Sequence, residues 1–300
     1  MQQLHIINPA AGKGLAEQTA ELKMARPAAS PVAQIPAEQA RYLTTGIGDA
    51  ERVVLETCRS DPNTHFIVYG GDGTVQEAVA GILKAGAGKT ALLSVVPVGT
   101  GNDLLRTFPE QGKLHVIDAL KCGDTYALNI VNFGFDSLVV EKTERYKKRF
   151  PGSAAYIFGL IDTLFHKIGQ QWEIELEDEQ GNTEVLSGEF TLALAANCRY
   201  YGGGFHAAPL ADPTDGLIDF LAVKTVSRLT FLRLVGDYKK GTHFDPATGN
   251  VREKFQSYVF YRRCRRVKLS GIQSFCADGE VRPRTELELS VVPQALRLQT

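Results

Sequence analysis

Three glycine-rich turns carry the strongest chemical signal in the first third of the sequence. They are "NPAAGKG" at 8–14, "GGDGT" at 70–74 and "PVGTGND" at 97–103, and each directly follows or closes a short apolar run. Glycine lets a backbone approach a ligand closely, and backbone N–H groups at a helix start bind anions. One such turn alone is an ordinary tight turn more often than a site. Three at one edge of a sheet favour a site for nucleotide phosphates.

Asp72 in the second turn narrows this chemistry. A carboxylate repels a neighbouring phosphate unless a cation such as Mg²⁺ bridges the two groups or the carboxylate takes a proton. The first turn lacks the spacing G-x-x-x-x-G-K-[ST], so it is not a Walker A loop.

Two acidic segments in the second half of the chain could add further chemistry. In "DGE" at 278–280, Asp278 and Glu280 would point the same way if the segment is extended, and either could accept a hydroxyl proton. A hairpin turn is the alternative, because Asp-Gly is a common turn signal. In "DPTDGLID" at 212–219, three aspartates offer hard oxygen ligands that suit Mg²⁺, although a solvated turn has the same composition.

The elements that must position these residues alternate between strands and helices in the first third. We predict strands at 4–8, 65–70 and 91–99, and helices at 48–60, 75–86 and 102–108. This alternation predicts a parallel sheet with helices on its faces. Ligands of such sheets collect at the carboxyl ends of the strands, where all three glycine-rich turns lie.

The pattern changes after about residue 125 to short β-rich runs separated by turns. Runs at 125–139, 171–181, 184–198, 216–224, 264–271 and 286–292 predict an antiparallel sheet or sandwich, with helices at about 151–168 and 227–239. A Pro/Ala-rich surface loop is expected at 24–36. We therefore predict an α/β domain over 1–126 and a β-rich domain over 127–300. Whether the last residues pack on the first domain stays open.

Composition limits the classes of protein that fit. Lys plus Arg (33) nearly balance Asp plus Glu (34), so a global basic field for nucleic acid is absent. Five scattered cysteines without a CxxC indicate reduced thiols. With no signal peptide and no run of 18 apolar residues, we expect a cytoplasmic protein. The oligomeric state is open, and a homodimer is one option.

The order of these motifs resembles one known family. "NPAAGKG", "GGDGT" followed by Gln76-Glu77, and "PVGTGNDLLR" occur with the spacing of the diacylglycerol-kinase catalytic domain. "GGGFHAAPLADPTDGLIDF" at 202–220 and "CADGE" at 276–280 extend the match over nearly all of the chain. The sequence resembles the soluble bacterial diacylglycerol and lipid kinases. The resemblance implies an NAD-kinase-like or phosphofructokinase-like α/β domain followed by a mostly antiparallel β-sandwich.

The resemblance also implies an ATP site in the first domain. The residues that would line the nucleotide are Asn8, Pro9, Ala10, Ala11, Gly12 and Thr44. Those that would wrap its phosphates are Gly70, Gly71, Asp72, Gly73, Thr74, Val75 and Gln76. Thr100 would face the phosphates and Asn102 would hold its turn. Gln76 departs from the asparagine that is usual in the family.

The family's reaction transfers phosphate from ATP, with Mg²⁺, to a lipid hydroxyl. The resemblance implies that Asp278 and Glu280 supply the acid–base function, with Asp72 near the magnesium. It also implies a structural Mg²⁺ on Asp212, Asp215 and the carbonyl of Leu217. Diacylglycerol is the leading acceptor, and the base role stays open between Asp278 and Glu280.

Several alternatives and one partner remain open at this stage. The acceptor could be phosphatidylglycerol or a sphingoid base, the enzyme could act like an NAD kinase, or the chain could be a catalytically silent nucleotide- or lipid-binding regulator. Basic clusters at 144–150 and 261–266 are either solvated faces or contacts with anionic headgroups. A lipid kinase would meet its substrate peripherally, at the inner membrane surface.

Overall fold

The computed structural model divides the protein into two compact units. It describes residues 1–25, 40–98, 101–147, 159, 162–163 and 169–300. Unit 1 comprises Met1–Ala119 together with Pro293–Thr300, and unit 2 comprises Leu120–Val292. The chain therefore leaves unit 1 after Ala119 and returns to it for its last residues. Most of the predicted loop at 24–36 and of the predicted helix at 151–168 falls outside the described residues.

Unit 1 is built on a parallel sheet in the order β2-β1-β3-β4. Its strands are β1 (Gln3–Ile7), β2 (Ala40–Leu43), β3 (His65–Gly70) and β4 (Leu92–Pro97). Every pair in this order is parallel, and Leu298–Gln299 adds a parallel pairing to β4. The predicted parallel sheet is confirmed. Its carboxyl ends release the chain into the turns after Ile7, Leu43, Gly70 and Pro97.

Helices follow each of these strands. They are α1 (Leu15–Ala25), α2 (Asp49–Ser60), α3 (Asp72–Lys84) and the short α4 (Asp103–Thr107). In α2 the residues Ala50, Val54 and Cys58 recur every fourth position and are buried, as an amphipathic helix requires. A Cβ at Gly81 would lie 2.7 Å from the carbonyl oxygen of Glu51, so glycine there lets α3 pack closely on α2.

Helix α3 begins three residues earlier than its apolar pattern indicates. The sequence predicts a start at Val75, whereas the structure begins the helix at Asp72, with Gly71 extended at the N-cap position. A Cβ at Gly70 would lie 2.7 Å from Cβ of Thr74, so this glycine makes room for the first turn. The "DGT" of the motif therefore belongs to the helix and not to a loop before it.

Unit 2 is an antiparallel β structure, as predicted. Strand β5 (Leu114–Cys122) runs through the boundary between the units, so no turn marks that boundary in the sequence. The later strands are β6 (Thr125–Ala127), β7 (Ile130–Gly134), β8 (Gln170–Glu177), β9 (Thr183–Ala196), β10 (Ile218–Lys224), β11 (Val259–Cys264), β12 (Arg266–Ser270), β13 (Ser274–Ala277), β14 (Glu280–Pro283) and β15 (Glu286–Gln299).

Strand β9 is the centre of unit 2. Its first half pairs with β8, and its second half pairs with β7 and β10, all antiparallel. One core cluster lies among the strands and includes the stacked rings of Trp172 and Phe190. A second cluster packs two helices, α5 (Phe135–Lys147) and α6 (Arg228–Lys240), against the strands through Phe135 and Phe231.

The prediction of a strand through residue 139 is wrong beyond Gly134. That glycine has φ 71° and a Cβ there would lie 2.6 Å from the carbonyl oxygen of Thr191, so the chain turns at a position that only glycine fits. Helix α5 then buries Phe135, Val139 and Thr143 at helical spacing. None of the helices in the described part of the chain combines the length and the hydropathy that a bilayer-spanning segment needs.

Candidate functional site

The carboxyl ends of β1, β2 and β3 open onto one cavity in unit 1. Its volume is about 540 Å³, within the range of pockets that hold small ligands. The residues that line it directly follow the three strands, as a parallel sheet dictates. They are Asn8, Pro9, Ala10, Ala11, Thr44, Thr45, Gly46, Ile47, Gly71, Gly73, Thr74 and Glu77.

The first turn of α3 forms part of the wall of this cavity. Gly71, Gly73 and Thr74 line it, and the backbone N–H groups of a first helical turn have no partner within the helix. Because the N-cap residue Gly71 has no side chain, no N-cap side chain accepts a hydrogen bond from these N–H groups. With the positive end of the helix dipole, they form a site suited to an anion.

The side chain of Asn8 joins two of the glycine-rich turns. Its Nδ2 donates to Oγ1 of Thr74 at 2.9 Å, and its Oδ1 accepts from the backbone N–H of Ala10 at 3.0 Å. The carbonyl of Asn8 also accepts from the backbone N–H of Ala11 at 3.0 Å. Asn8 thereby fixes the shape of its own turn and ties that turn to α3.

Two acids shape the wall of the cavity that follows β2. Glu77 accepts from the backbone N–H groups of Gly48 at 2.8 Å and Ala50 at 3.1 Å. Asp49 accepts from both the backbone N–H and the hydroxyl of Thr45. The Thr45 N–H, helped by the Arg52 guanidinium, holds the pKa of Asp49 well below its usual range. Both carboxylates therefore accept backbone hydrogen bonds that stabilise the start of α2.

Three cavity residues after β2, and Glu77, escape the sequence-based prediction. Only Thr44 of the segment 44–47 is predicted, yet Thr45, Gly46 and Ile47 also line the cavity. Ile47 is 97% exposed, although an isoleucine normally avoids water. The sequence carries no periodic signal for this short segment. Glu77 lies close to the "GGDGT" motif in the sequence, and only this proximity could have indicated that it lines the cavity.

Asp72 organises the turn after β4. Its two carboxylate oxygens accept from the backbone N–H groups of Asn102 at 2.9 Å and Asp103 at 2.8 Å, at the start of α4. A Cβ at Gly101 would lie 2.3 Å from Oδ2 of Asp72, so glycine is needed for this approach. Asn102 has φ 53° at the N-cap position. Thr100 lies outside the described residues.

Not every predicted nucleotide residue lines the cavity. Within the described part of the chain, the lining omits Gly12, Gly70, Asp72, Val75, Gln76 and Asn102. Val75 and Gln76 are buried in α3. Gly12 has φ 60°, and a Cβ there would lie 2.6 Å from the carbonyl oxygen of Val98, so its role is in the turn. Roles for these residues toward a nucleotide stay predictions.

The segment "DGE" is a hairpin turn. Ala277 pairs with Glu280 across β13 and β14, so Asp278 and Gly279 are the two residues of the turn. Both have positive φ, 47° and 97°, as a type I′ turn requires. Of the two readings of this segment, the hairpin turn is therefore the one that the structure has, and the catalytic roles of Asp278 and Glu280 stay predictions.

The two carboxylates of this hairpin have different environments. Asp278 accepts from three consecutive backbone N–H groups, those of Leu128 at 2.6 Å, Asn129 at 3.0 Å and Ile130 at 3.0 Å. Glu280 is partly exposed, and one of its oxygens pairs with Arg282 at 3.0 Å. Asp278 anchors the start of β7, whereas Glu280 is accessible from solvent.

The acidic loop before β10 binds largely to itself and to one arginine. Asp212 accepts from the backbone N–H and hydroxyl of Thr214, and Asp215 accepts from the backbone N–H of Leu217 at 2.9 Å. The other oxygen of Asp215 pairs with the Arg263 guanidinium. Burial raises the pKa of Asp215 above its ordinary value. No group of three or more His, Cys, Asp or Glu side chains in the described residues could hold a metal ion.

Two family models together match almost the whole chain. The model of the diacylglycerol kinase catalytic domain matches residues 2–132, and that of the YegS C-terminal NAD kinase beta sandwich-like domain matches residues 129–300. The chain belongs to the diacylglycerol kinase and lipid kinase family. It is therefore a kinase, and the resemblance seen in its motifs is confirmed.

Relatives and solved structures in this family agree. A diacylglycerol kinase of Mycobacterium tuberculosis is 30% identical over 273 residues, which cover 84% of this chain and 82% of that protein. A probable YegS-like lipid kinase of Chromohalobacter salexigens is 27% identical over 257 residues, 80% and 78% of the two chains. The crystal structure of a putative diacylglycerol kinase from Bacillus anthracis has the same fold, with a TM-score of 0.74 and 23% identity over 99% of this chain and 96% of that one.

Proposed function

We propose that this kinase transfers the γ-phosphoryl group of ATP to the hydroxyl of a lipid, with diacylglycerol as the leading acceptor and phosphatidic acid as the product. The observation that carries the proposal is the cavity at the carboxyl ends of β1, β2 and β3, where the first turn of α3 offers unpaired backbone donors. Relatives named diacylglycerol kinase and lipid kinase support the acceptor class.

The lining of the cavity offers both backbone donors and an apolar side chain, which suit the phosphates and the base of ATP. The backbone N–H groups of Gly73 and Thr74 would bind phosphate oxygens at the start of α3. Ile47, exposed at the cavity, would pack on the adenine ring, while the hydroxyls of Thr44 and Thr45 can bond to the ribose or the base.

Magnesium would neutralise phosphate charge when it is bound with ATP. Asp72 is the acid within the "GGDGT" motif, and each of its carboxylate oxygens accepts a backbone hydrogen bond from the turn after β4. A carboxylate oxygen has two lone pairs, so it can accept one hydrogen bond and still bind a cation. A carboxylate so oriented suits a hard cation. In unit 2, Asp212, Asp215 and the Leu217 carbonyl are also hard donors, and there a cation would share Asp215 with Arg263.

Glu280 is our candidate for the base that accepts the proton of the lipid hydroxyl. It is accessible, and Arg282 orients one of its oxygens. The carboxylate of Asp278 is surrounded by three backbone donors, so we assign it the role of positioning residue for the hairpin that carries Glu280. General base catalysis contributes about 10²–10⁴-fold to rate.

The test is labelled-phosphate transfer from ATP and Mg²⁺ to diacylglycerol, phosphatidylglycerol and a sphingoid base in mixed micelles, with NAD as a soluble acceptor. We expect label in a lipid and a loss of about 100-fold or more in kcat for Glu280→Gln. Glu184→Gln changes a partly exposed glutamate that is paired with Arg262; it is the matched control and keeps full activity. Label on NAD alone, or ATP binding without any transfer, would overturn the proposal.

A further inference from the structure

Helix α6 presents an exposed face of leucines and basic residues. This outer face consists of Arg228, Leu229, Leu232, Arg233, Gly236, Lys239 and Lys240, all exposed. At 3.6 residues per turn these positions fall within an arc of about 140°. The middle of this arc is formed by Leu232, Gly236 and Leu229, and basic residues lie on both sides of it.

The opposite face of α6 fixes the helix to the core of unit 2. Phe231, Leu234 and Tyr238 are buried there. Ser227 caps the first turn through its hydroxyl, which accepts from the backbone N–H of Thr230 at 3.2 Å, and Gly241 ends the helix with φ 73°. The outer face therefore belongs to a helix that is capped at both ends and packed on the core.

Two leucines of the outer face expose much of their apolar surface to solvent. Leu229 is 61% exposed and Leu232 is 46% exposed, one helical turn apart. A Cβ at Gly236, next to them on the arc, would meet nothing within 4 Å. Apolar side chains flanked by cations on a helix are the pattern of segments that lie in the interface of a bilayer.

The charge of the outer face is uniformly positive. Within the described chain, Arg233 and Lys240 pair with no carboxylate. The single acid of α6, Asp237, lies outside the arc and pairs with Lys254 at 2.9 Å. The outer face therefore complements an anionic surface. Because leucines lie between the cations, an anionic bilayer fits this face better than a polyanion that is surrounded by water.

The basic cluster at 261–266 is different. Arg262 pairs with Glu184, Arg263 with Asp215, and Arg266 with Glu177, so most of its charge is neutralised within unit 2. The side chains of all the basic residues at 144–150 lie outside the described part of the chain. The cluster at 261–266 therefore lacks the unpaired cations found on α6.

We propose that the outer face of α6 docks on an anionic lipid bilayer, with Leu229 and Leu232 entering the interface and Arg233, Lys239 and Lys240 contacting lipid phosphates. The inference rests on the proposed function, because a lipid kinase must reach a substrate that resides in a bilayer. It assigns that contact to one helix of unit 2.

The test is sedimentation of the full chain with vesicles, without ATP. Vesicles of phosphatidylglycerol and phosphatidylcholine are compared with phosphatidylcholine alone. We expect binding to the anionic vesicles that weakens with salt, by about fivefold for each of Arg233→Gln and Lys240→Gln. Leu229→Gln with Leu232→Gln should weaken binding about tenfold or more, and Gly236→Leu should strengthen it.

Two control variants show whether a loss of vesicle binding is specific to the outer face of α6 or follows from losing any exposed apolar or basic side chain. Val185→Gln replaces an apolar side chain that is 56% exposed elsewhere in unit 2, and Lys121→Gln removes an exposed cation there; both should bind like wild type. Unchanged vesicle binding in the α6 variants overturns the proposal. The proposal is also overturned if the protein is a dimer and the leucine variants dissociate that dimer without changing vesicle binding. In that case a second copy of the chain covers the outer face.

Kinase activity on micelle-dispersed lipid separates this inference from the proposed function. If wild type phosphorylates lipid in micelles and the α6 variants lose neither that activity nor vesicle binding, docking fails alone. If α6-dependent vesicle binding is found but no lipid is ever phosphorylated, the docking surface stands and the lipid-kinase proposal fails.

Discussion

Nδ2 of Asn8 donates a hydrogen bond of 2.9 Å to Oγ1 of Thr74, which joins the turn after β1 to the first turn of α3. Both residues line the cavity. Thr74→Val removes the acceptor and leaves the amide of Asn8 unpaired, a loss worth about 1–3 kcal/mol. We expect ATP affinity, measured by calorimetry, to fall about tenfold or more, while Thr74→Ser keeps the acceptor and most of the affinity.

A double-mutant cycle tests whether this bond is the cause. If Asn8 acts through Thr74, the losses from Asn8→Ala and Thr74→Val should not add, and the coupling free energy should be about 0.5–3 kcal/mol. Additive losses would show that the two residues contribute independently, and our account of the bond would then be wrong.

The glycines of "GGDGT" have separable roles, which gives a second prediction. A Cβ at Gly73 meets nothing within 4 Å, whereas one at Gly70 lies 2.7 Å from Cβ of Thr74. Because Gly73 also lines the cavity, Gly73→Val should stay folded and lose ATP binding. Gly70→Val should instead lower the melting temperature markedly.

The control for Gly73→Val is Gly236→Val, an open helical glycine outside the cavity. It introduces the same β-branched residue into a helix and should bind ATP like wild type. Retained ATP affinity in a folded Gly73→Val variant would contradict the assignment of the cavity to ATP.

The fold of unit 1 was largely predictable because its signals are local. Apolar runs such as 65–70 gave a strand with the predicted bounds, and helical spacing in 48–60 gave α2 to within one residue. The start of α3 was missed because Gly71 and Asp72 read as loop, and only the contact between Gly70 and Thr74 shows why the helix begins there. Helix α5 was missed because its start alternates like a strand.

The site was less predictable than the fold, because hydrogen bonds between distant segments do not show in a motif. Asp72 was expected beside a metal, and nothing in "GGDGT" reveals its bonds to Asn102 and Asp103. The hairpin at Asp278 was one of two readings of the same three letters. Ile47 has no pattern around it, since its position at the cavity depends on where β2 ends.

The bonds of Asp278 give a third prediction. Asp278→Ala leaves three backbone N–H groups of residues 128–130 without their acceptor, and we expect it to lower the free energy of unfolding by about 2 kcal/mol or more. Asp278→Asn keeps one oxygen and the turn geometry, so its loss should be smaller. Urea denaturation measures both.

Glu280→Gln is the comparison for these variants. It changes only a partly exposed charge paired with Arg282, so stability should change by less than about 0.5 kcal/mol while activity falls. If Asp278→Asn is as stable as wild type and as inactive as Glu280→Gln, Asp278 takes a direct part in catalysis and our division of roles between them is wrong.

A buried histidine gives the fourth prediction. His243 is fully buried beside Tyr238 and Phe244, and its Nε2 donates to the carbonyl of Ala207 at 3.1 Å. Burial lowers its pKa from 6.5 to about 4. Because the folded pKa lies below the unfolded one, its contribution is complete above pH 6.5 and is lost as pH falls toward 4. The full loss corresponds to about 3 kcal/mol.

We expect the urea midpoint of wild type to fall between pH 7.5 and pH 5 by more than that of His243→Gln, which keeps a donor but cannot be protonated. Comparing the two proteins at each pH cancels the titration of every group they share. The difference in free energy of unfolding between them should therefore shrink or change sign as pH falls. An equal fall in both proteins would mean that His243 is not buried in its neutral form.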